Sequence, residues 1–172
     1  FYRSPDELRD KFDINDIEKE FRAQITGFLN TGLELSHLDT HHHIHRLLGD
    51  EVADLVVSLA NELKVPMRRP DEKYLKTIDL DAVQTTDFFN DDFGGTIENS
   101  REEQFISILD HYRDSDGILE IMTHPGYPDE ELYQLSSWND GRLEEIKTLT
   151  SPSLIRYLEE HEIILTHFAQ ID

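Results

Sequence analysis

The densest concentration of chemically useful side chains is Ser36-His37-Leu38-Asp39-Thr40-His41-His42-His43-Ile44-His45, which holds five of the nine histidines in the chain. The run is internal and interrupted, unlike an expression tag. Side chains of an extended strand alternate between faces, so His37, Asp39 and His41 would project to one side and Leu38 and Thr40 to the other. If the extended geometry persists, His43 and His45 continue the row. Imidazoles and a carboxylate on one face form a ligand set that suits zinc or a similar divalent ion. Asp39 could ligate such an ion or fix a histidine tautomer from behind, and it counts as a candidate catalytic residue. His42 faces away by parity and is expected to be structural.

A second constellation is Glu120-Ile121-Met122-Thr123-His124-Pro125-Gly126-Tyr127. His124 falls where a strand gives way to a Pro/Gly-rich loop, a position that serves catalysis in α/β folds. Its ordinary pKa lies near working pH, so it could protonate a leaving amine. Arg68 and Arg69 end a short strand and could bind anionic or hydroxyl-rich ligands. Arg142 is expected to pair with Glu145 along its helix. Tyr127, Tyr133 and Trp138 lie close to the second motif, where aromatic faces could carry a sugar ring or simply pack a core or lid. His111, His161 and His167 have no chemical neighbours in sequence and are expected to be structural.

The elements that must position these groups alternate. Apolar residues recur at helical spacing from Asp13 to Thr31, ending at Gly32, and a strand is expected from Leu33 to Thr40. Asp50 is expected to cap a helix whose buried face is Val52, Leu55, Val56, Leu59 and Leu63. Val65 to Pro70 reads as a short strand, and Asp71 to Asn99 is irregular apart from turn signals and the pair Phe88-Phe89. Ser100 and Glu103 form a capping box for a helix running toward Tyr112. Gly117 to His124 is the clearest strand. Helices follow over Gly141 to Leu149 and Pro152 to His161, the second capped by Ser151, and a last strand is expected from Ile163 to His167. Such alternation is the pattern of a parallel α/β sheet or barrel, in which chemistry collects beyond the carboxyl ends of the strands. Four or five strands are too few to close a barrel.

Composition narrows the partners. With 172 residues, 37% hydrophobic and 31% charged, the chain can bury a single core. The formal net charge of -21 disfavours nucleic acid and anionic membrane surfaces, and marks a well-hydrated surface. The chain has no cysteine, which excludes disulfides and thiolate metal sites and fits a cytoplasmic protein. No stretch approaches the length of a membrane-spanning helix, and no signal-peptide pattern is present. No repeat or linker divides residues 1–172.

With both motifs in view, the chain resembles the YdjC-like carbohydrate deacetylases, which include the chitooligosaccharide deacetylases. The resemblance rests on His37 to His45 and on Glu120 to Tyr127, with Arg142, Glu145 and Leu149-Thr150-Ser151 as further support. It implies a distorted TIM-type (β/α) barrel, incomplete in this chain, with residues 1–172 as a single domain forming the C-terminal portion. It also implies hydrolysis of N-acetyl groups on amino sugars or chitooligosaccharides, using a divalent ion, Mg2+ or Zn2+, held by one Asp and two His. One of those histidines matches the first position of the triple-His run, His41. The other two ligands belong to an N-terminal segment, an Asp in an Asp-Asp-Phe-Gly run and a later His, which are expected upstream of Phe1. Asn90-Asp91-Asp92-Phe93-Gly94 spells the same run but follows the histidine cluster with no clear strand feeding it, and reads as a chance loop. His37, His43, His45, Arg68 and Tyr127 are the substrate-side candidates. The expected partner is an N-acetylated oligosaccharide or amino sugar, with a homodimer left open. Competing readings are a non-catalytic divalent-metal-binding protein, an interaction domain with a degenerate site, and a hydrolase acting on a phosphate or another ester.

Overall fold

The computed structural model describes residues 4–73, 83–94, 100–136 and 139–171. The chain forms two compact units, Phe1–Thr85 with Thr166–Asp172, and Thr86–Leu165. Both are mixed α/β. Among the described residues, no helix is long and apolar enough to cross a membrane.

The first unit opens with the short α1 (Pro5–Leu8) and the long α2 (Ile14–Leu29), capped by the Asp13 side chain accepting from the Asn15 N–H. A 3-10 turn at His41–His43 leads directly into α3 (Ile44–Leu47), and α4 follows over Asp50–Leu63. The cap of α4 is Gly49, at φ 114°, and Asp50 is its first helical residue, where its charge still complements the helix dipole. The buried face of α4 is Val52, Ala53, Val56, Leu59 and Ala60. The two alanines are as fully enclosed as Val52, while Leu55 and Leu63 stay half-buried at the margin. Val56 and Ala60 pack with Met67 and Val83, and Phe21 of α2 leans on this cluster. A forked ion pair from Arg22 to Glu62, at 3.0 and 2.9 Å, ties α2 to α4.

The strands expected over Leu33 to Thr40 and Val65 to Pro70 contract to one parallel bridge, Leu38 to Met67. Leu38 N–H donates to Pro66 O and Arg68 N–H to Leu38 O, both at 2.9 Å.

The second unit pairs β1 (Phe88–Asn90) with β2 (Leu119–Ile121) in parallel, Phe88 opposite Leu119 and Asn90 opposite Ile121. Between them lies α5 (Arg101–Tyr112), and its Ser100–Glu103 capping box forms as expected. Then come α6 (Glu130–Leu135), α7 (Asp140–Leu149) and α8 (Pro152–Glu160), the last capped by Ser151. The core gathers Phe93, Phe105, Ile108, Leu109 and Leu154, with Leu119 and Ile121 of β2 against it. Gly117 bends the chain into β2 at φ +144°, where a Cβ would stand 2.6 Å from Asp87 Oδ2. That same oxygen accepts the Ile118 N–H at 2.7 Å.

Three expectations change. β1 is a strand that the sequence reading treated as irregular, and it runs straight into Asp91-Asp92-Phe93-Gly94, so a strand does feed that segment. Phe93 is only 1% exposed, a core residue of this unit. The stretch from Ile163 to His167 is not a strand: no ladder partner meets it among the described residues, and Ile164 and Leu165 are 87% and 78% exposed. An apolar run makes a strand only when a neighbour takes its backbone groups. The sheet pairing among the described residues stops at β1–β2 and the Leu38–Met67 bridge.

Candidate functional site

The alternating row expected of the histidine run ends at Thr40. His41 to His43 wind into a 3-10 turn in which His42 (φ 55°) and His43 (φ 51°) both take the left-handed conformation. Bulky L-residues pay roughly 1–2 kcal/mol each for that backbone, so two in succession persist only where the surrounding structure holds them. Parity therefore does not govern beyond Thr40, and His42 is an exposed corner of the turn, its ring edge-on to His41 at 4.1 Å.

Thr40 holds the turn together. Its carbonyl accepts the His43 N–H at 3.0 Å, and its side-chain oxygen lies 2.5 Å from His45 Nδ1 while accepting the His45 N–H at 3.3 Å. Thr40 was expected to face away from the chemistry. In the structure it is buried and bonds His45, a residue of the expected row, and so shapes the turn. His45 is 0% exposed, and burial drives its pKa down to about 3. His45, expected on the substrate side, is enclosed here and bonded to Thr40 within the turn.

Asp39 accepts from the Thr40 N–H at 2.7 Å and pairs with Arg68 at 2.6 Å. The same guanidinium lies 3.5 Å from His43 Nδ1. The parallel bridge explains this meeting, because it sets Asp39 and Arg68 one residue beyond Leu38 and Met67 on adjacent segments. Arg69 turns elsewhere, toward Glu72 and Thr85. His37 is half-buried, stacked on Phe168 at 4.1 Å, with Nδ1 2.9 Å from Ser36 Oγ. Burial holds its pKa below the ordinary value, and the Asp39 charge only partly offsets this. The first unit thus brings Asp39, Arg68 and His43 together, leaves His41 exposed, and engages one face of His37 with Phe168. A groove of about 620 Å³ between α1, α2 and α4 reaches Asp39, Thr40, His41 and His42.

In the second unit His124 lies just past the carboxyl end of β2, as expected, with an exposed side chain. Tyr127 is 79% exposed, and Tyr133 donates to Asp140 at 2.6 Å. Trp138 lies outside the described residues. The sequence reading gave Glu145 the role of Arg142's partner. In the structure Glu145 is 0% exposed and accepts the backbone N–H of His124. The available signal was helical spacing: Glu145 shares the inward face of α7 with Thr148, where a carboxylate needs a reason. His161 stacks on Tyr157 at 4.1 Å and His111 meets Tyr112 edge-on.

A divalent ion needs three or more converging donors. Among the described residues, no group of three His, Cys, Asp or Glu side chains is placed to hold one. Asp39 already serves Arg68 and Thr40, and in the turn His41 and His42 are exposed.

Comparison with known proteins places this arrangement. A carbohydrate deacetylase of Clostridium beijerinckii is 36% identical over 162 residues, covering 92% of this chain and 62% of that protein. A carbohydrate deacetylase of Brevibacillus brevis is 35% identical over 161 residues, covering 91% and 61%. The chain therefore spans about three fifths of the length of these relatives. A solved Enterococcus faecalis structure, provisionally described as a cellobiose-phosphate cleavage protein, superposes with a TM-score of 0.83 at 26% identity, covering 92% of this chain and 61% of that one. The sequence profile of the YdjC-like proteins matches residues 1–160, a span that takes in both the histidine turn and the His124 loop, and the chain belongs to that family.

Proposed function

We propose that the full-length protein is a metal-dependent hydrolase that removes N-acetyl groups from amino sugars or chitooligosaccharides, built on a (β/α) barrel to which this chain contributes the larger part. The observation that carries the reading is the agreement between the strained, Thr40-braced histidine turn and the names of relatives matching over 92% of the chain. A turn whose left-handed residues are imidazoles is a costly way to end a strand, and it makes sense as a device for presenting His41 and His43.

The described residues do not complete a metal site, so we assign His41 as this chain's contribution to a divalent ion, Mg2+ or Zn2+, whose other ligands belong to the remainder of the full-length protein. Such an ion supplies a polarised amide carbonyl and an activated water. Arg68 neutralises Asp39 at 2.6 Å and keeps its carboxylate in place beside the turn. His124 is assigned the proton that the departing sugar amine requires. The expected location is the cytoplasm.

The test is acetate release from N-acetylated chitooligosaccharides by the full-length protein, with and without a chelator. Release that stops on chelation and in His41→Ala supports the proposal. No acetate with any divalent metal overturns it, and cleavage of a phosphorylated disaccharide in its place would transfer the protein to the chemistry named for the Enterococcus structure.

A further inference from the structure

His124 is held from behind by one helix. The Glu145 carboxylate on α7 accepts the His124 N–H through Oε2, and three residues earlier the Arg142 carbonyl accepts the Gly126 N–H at 3.3 Å. Residues three apart on a helix share a face, so α7 grips the loop at two points flanking Pro125. Gly126 lies against the Arg142 side chain, where a Cβ would make an ordinary contact of 3.4 Å with Cδ. With Pro125 and Pro128 restricting φ nearby, the His124 backbone has little freedom left.

Glu145 is an expensive way to achieve this. It is 0% exposed, and its second oxygen, Oε1, has no hydrogen-bond partner. A buried, half-satisfied carboxylate costs stability that an apolar residue would not, so packing alone does not account for it. What the carboxylate does accomplish is to fix the backbone of His124.

We propose that Glu145 is a positioning residue: it orients His124 for proton transfer by holding its amide, without touching the substrate. This rests on the assignment of His124 as proton donor. Small displacements of a proton donor are costly, since about 1 Å can reduce turnover by about 100-fold.

The experiment compares E145Q with E145M in the full-length protein. Both side chains fill the same space, but only glutamine offers an oxygen to the His124 N–H, so a difference between them isolates the hydrogen bond from packing. Thermal unfolding establishes that both are folded. Hydrogen exchange at the His124 amide is expected to remain slow in E145Q and to accelerate by about 10-fold or more in E145M. In the acetate-release assay, kcat is expected to fall by about 10- to 100-fold in E145M, with KM within about 3-fold, and to be largely recovered in E145Q. In a His124→Ala background, E145M should add no further loss, because the residue it positions is gone.

Equal exchange and equal kcat in the two variants overturn the proposal. So does faster exchange in E145M with unchanged kcat, or an E145M loss that persists in full without His124. If the wild-type protein released no acetate, the proposed function would fail on its own, and the exchange comparison would still decide whether Glu145 holds the His124 backbone.

Discussion

Acidification should strike this protein first at His45. The imidazole is 0% exposed, and its Nδ1 lies 2.5 Å from Thr40 Oγ1. That oxygen also accepts the His45 N–H at 3.3 Å, and its own proton can be donated to Nδ1 of the neutral ring. The ring also meets the backbone of Arg69, which favours the charged form only weakly against the burial. A second proton would have to enter a dry site beside His43, Arg46 and Arg68, and the folded-state pKa is accordingly about 3 against 6.5 for the free side chain. Because the folded value is the lower one, the unfolded chain binds the extra proton first. The stabilisation is complete above the unfolded pKa and is lost as pH falls from 6.5 toward 3. Integrating between pH 7 and pH 5 gives a loss of about 2 kcal/mol from this one residue.

The perturbation that isolates it is His45→Asn, whose side-chain oxygen can still accept from Thr40 but does not titrate. At pH 7 the substitution should cost about 1–2 kcal/mol through the volume lost beneath the turn. Other titrating groups, His37 among them, are common to both proteins and cancel in the difference. Denaturant unfolding of the full-length protein at pH 7, 6 and 5 should therefore show the gap between wild type and variant shrinking by about 2 kcal/mol, to nothing or to a reversed sign. A gap that stayed constant would refute the argument, because it would mean that His45 is not buried and neutral in the folded protein.

Two further substitutions test local geometry. Gly117→Ala should destabilise the second unit by about 2 kcal/mol or more, seen as a lower Tm, because the added Cβ meets Asp87 Oδ2 at 2.6 Å on a φ of +144°. His42→Gly should raise Tm by the equivalent of about 0.5–1 kcal/mol, since it relieves a left-handed φ of 55° at an exposed residue; an unchanged or lower Tm would show that the turn is not strained there.

The parts legible in the sequence were those written in local chemistry. Ser100 and Glu103 spelled a capping box, Ser151-Pro152 a helix start, and the apolar spacing after Asp13 a long amphipathic helix, and all three appear. The 120s motif put His124 just past a strand, where it stands. What escaped were features fixed by partners distant in sequence. Phe88-Phe89-Asn90 becomes a strand only by lying beside Leu119 to Ile121, and Ile163 to His167 meets no such neighbour among the described residues. Glu145 showed a helical position but not that the backbone of His124 would occupy it.

The histidine run shows how far a periodicity argument reaches. Alternation is a property of extended backbone, and it fails where the backbone turns, here after Thr40. The consequence is a division of labour that five equivalent imidazoles on one face would not have had. His37 is stacked on Phe168, His45 is enclosed as the neutral base of the turn, and His42 stands at the left-handed corner. His41 is accessible and His43 lies against the Arg68–Asp39 pair. A row of exposed histidines would bind a metal in several registers. The braced turn encloses His45 and leaves His41 and His42 exposed, so the imidazoles of one short run meet different surroundings because the backbone turns after Thr40.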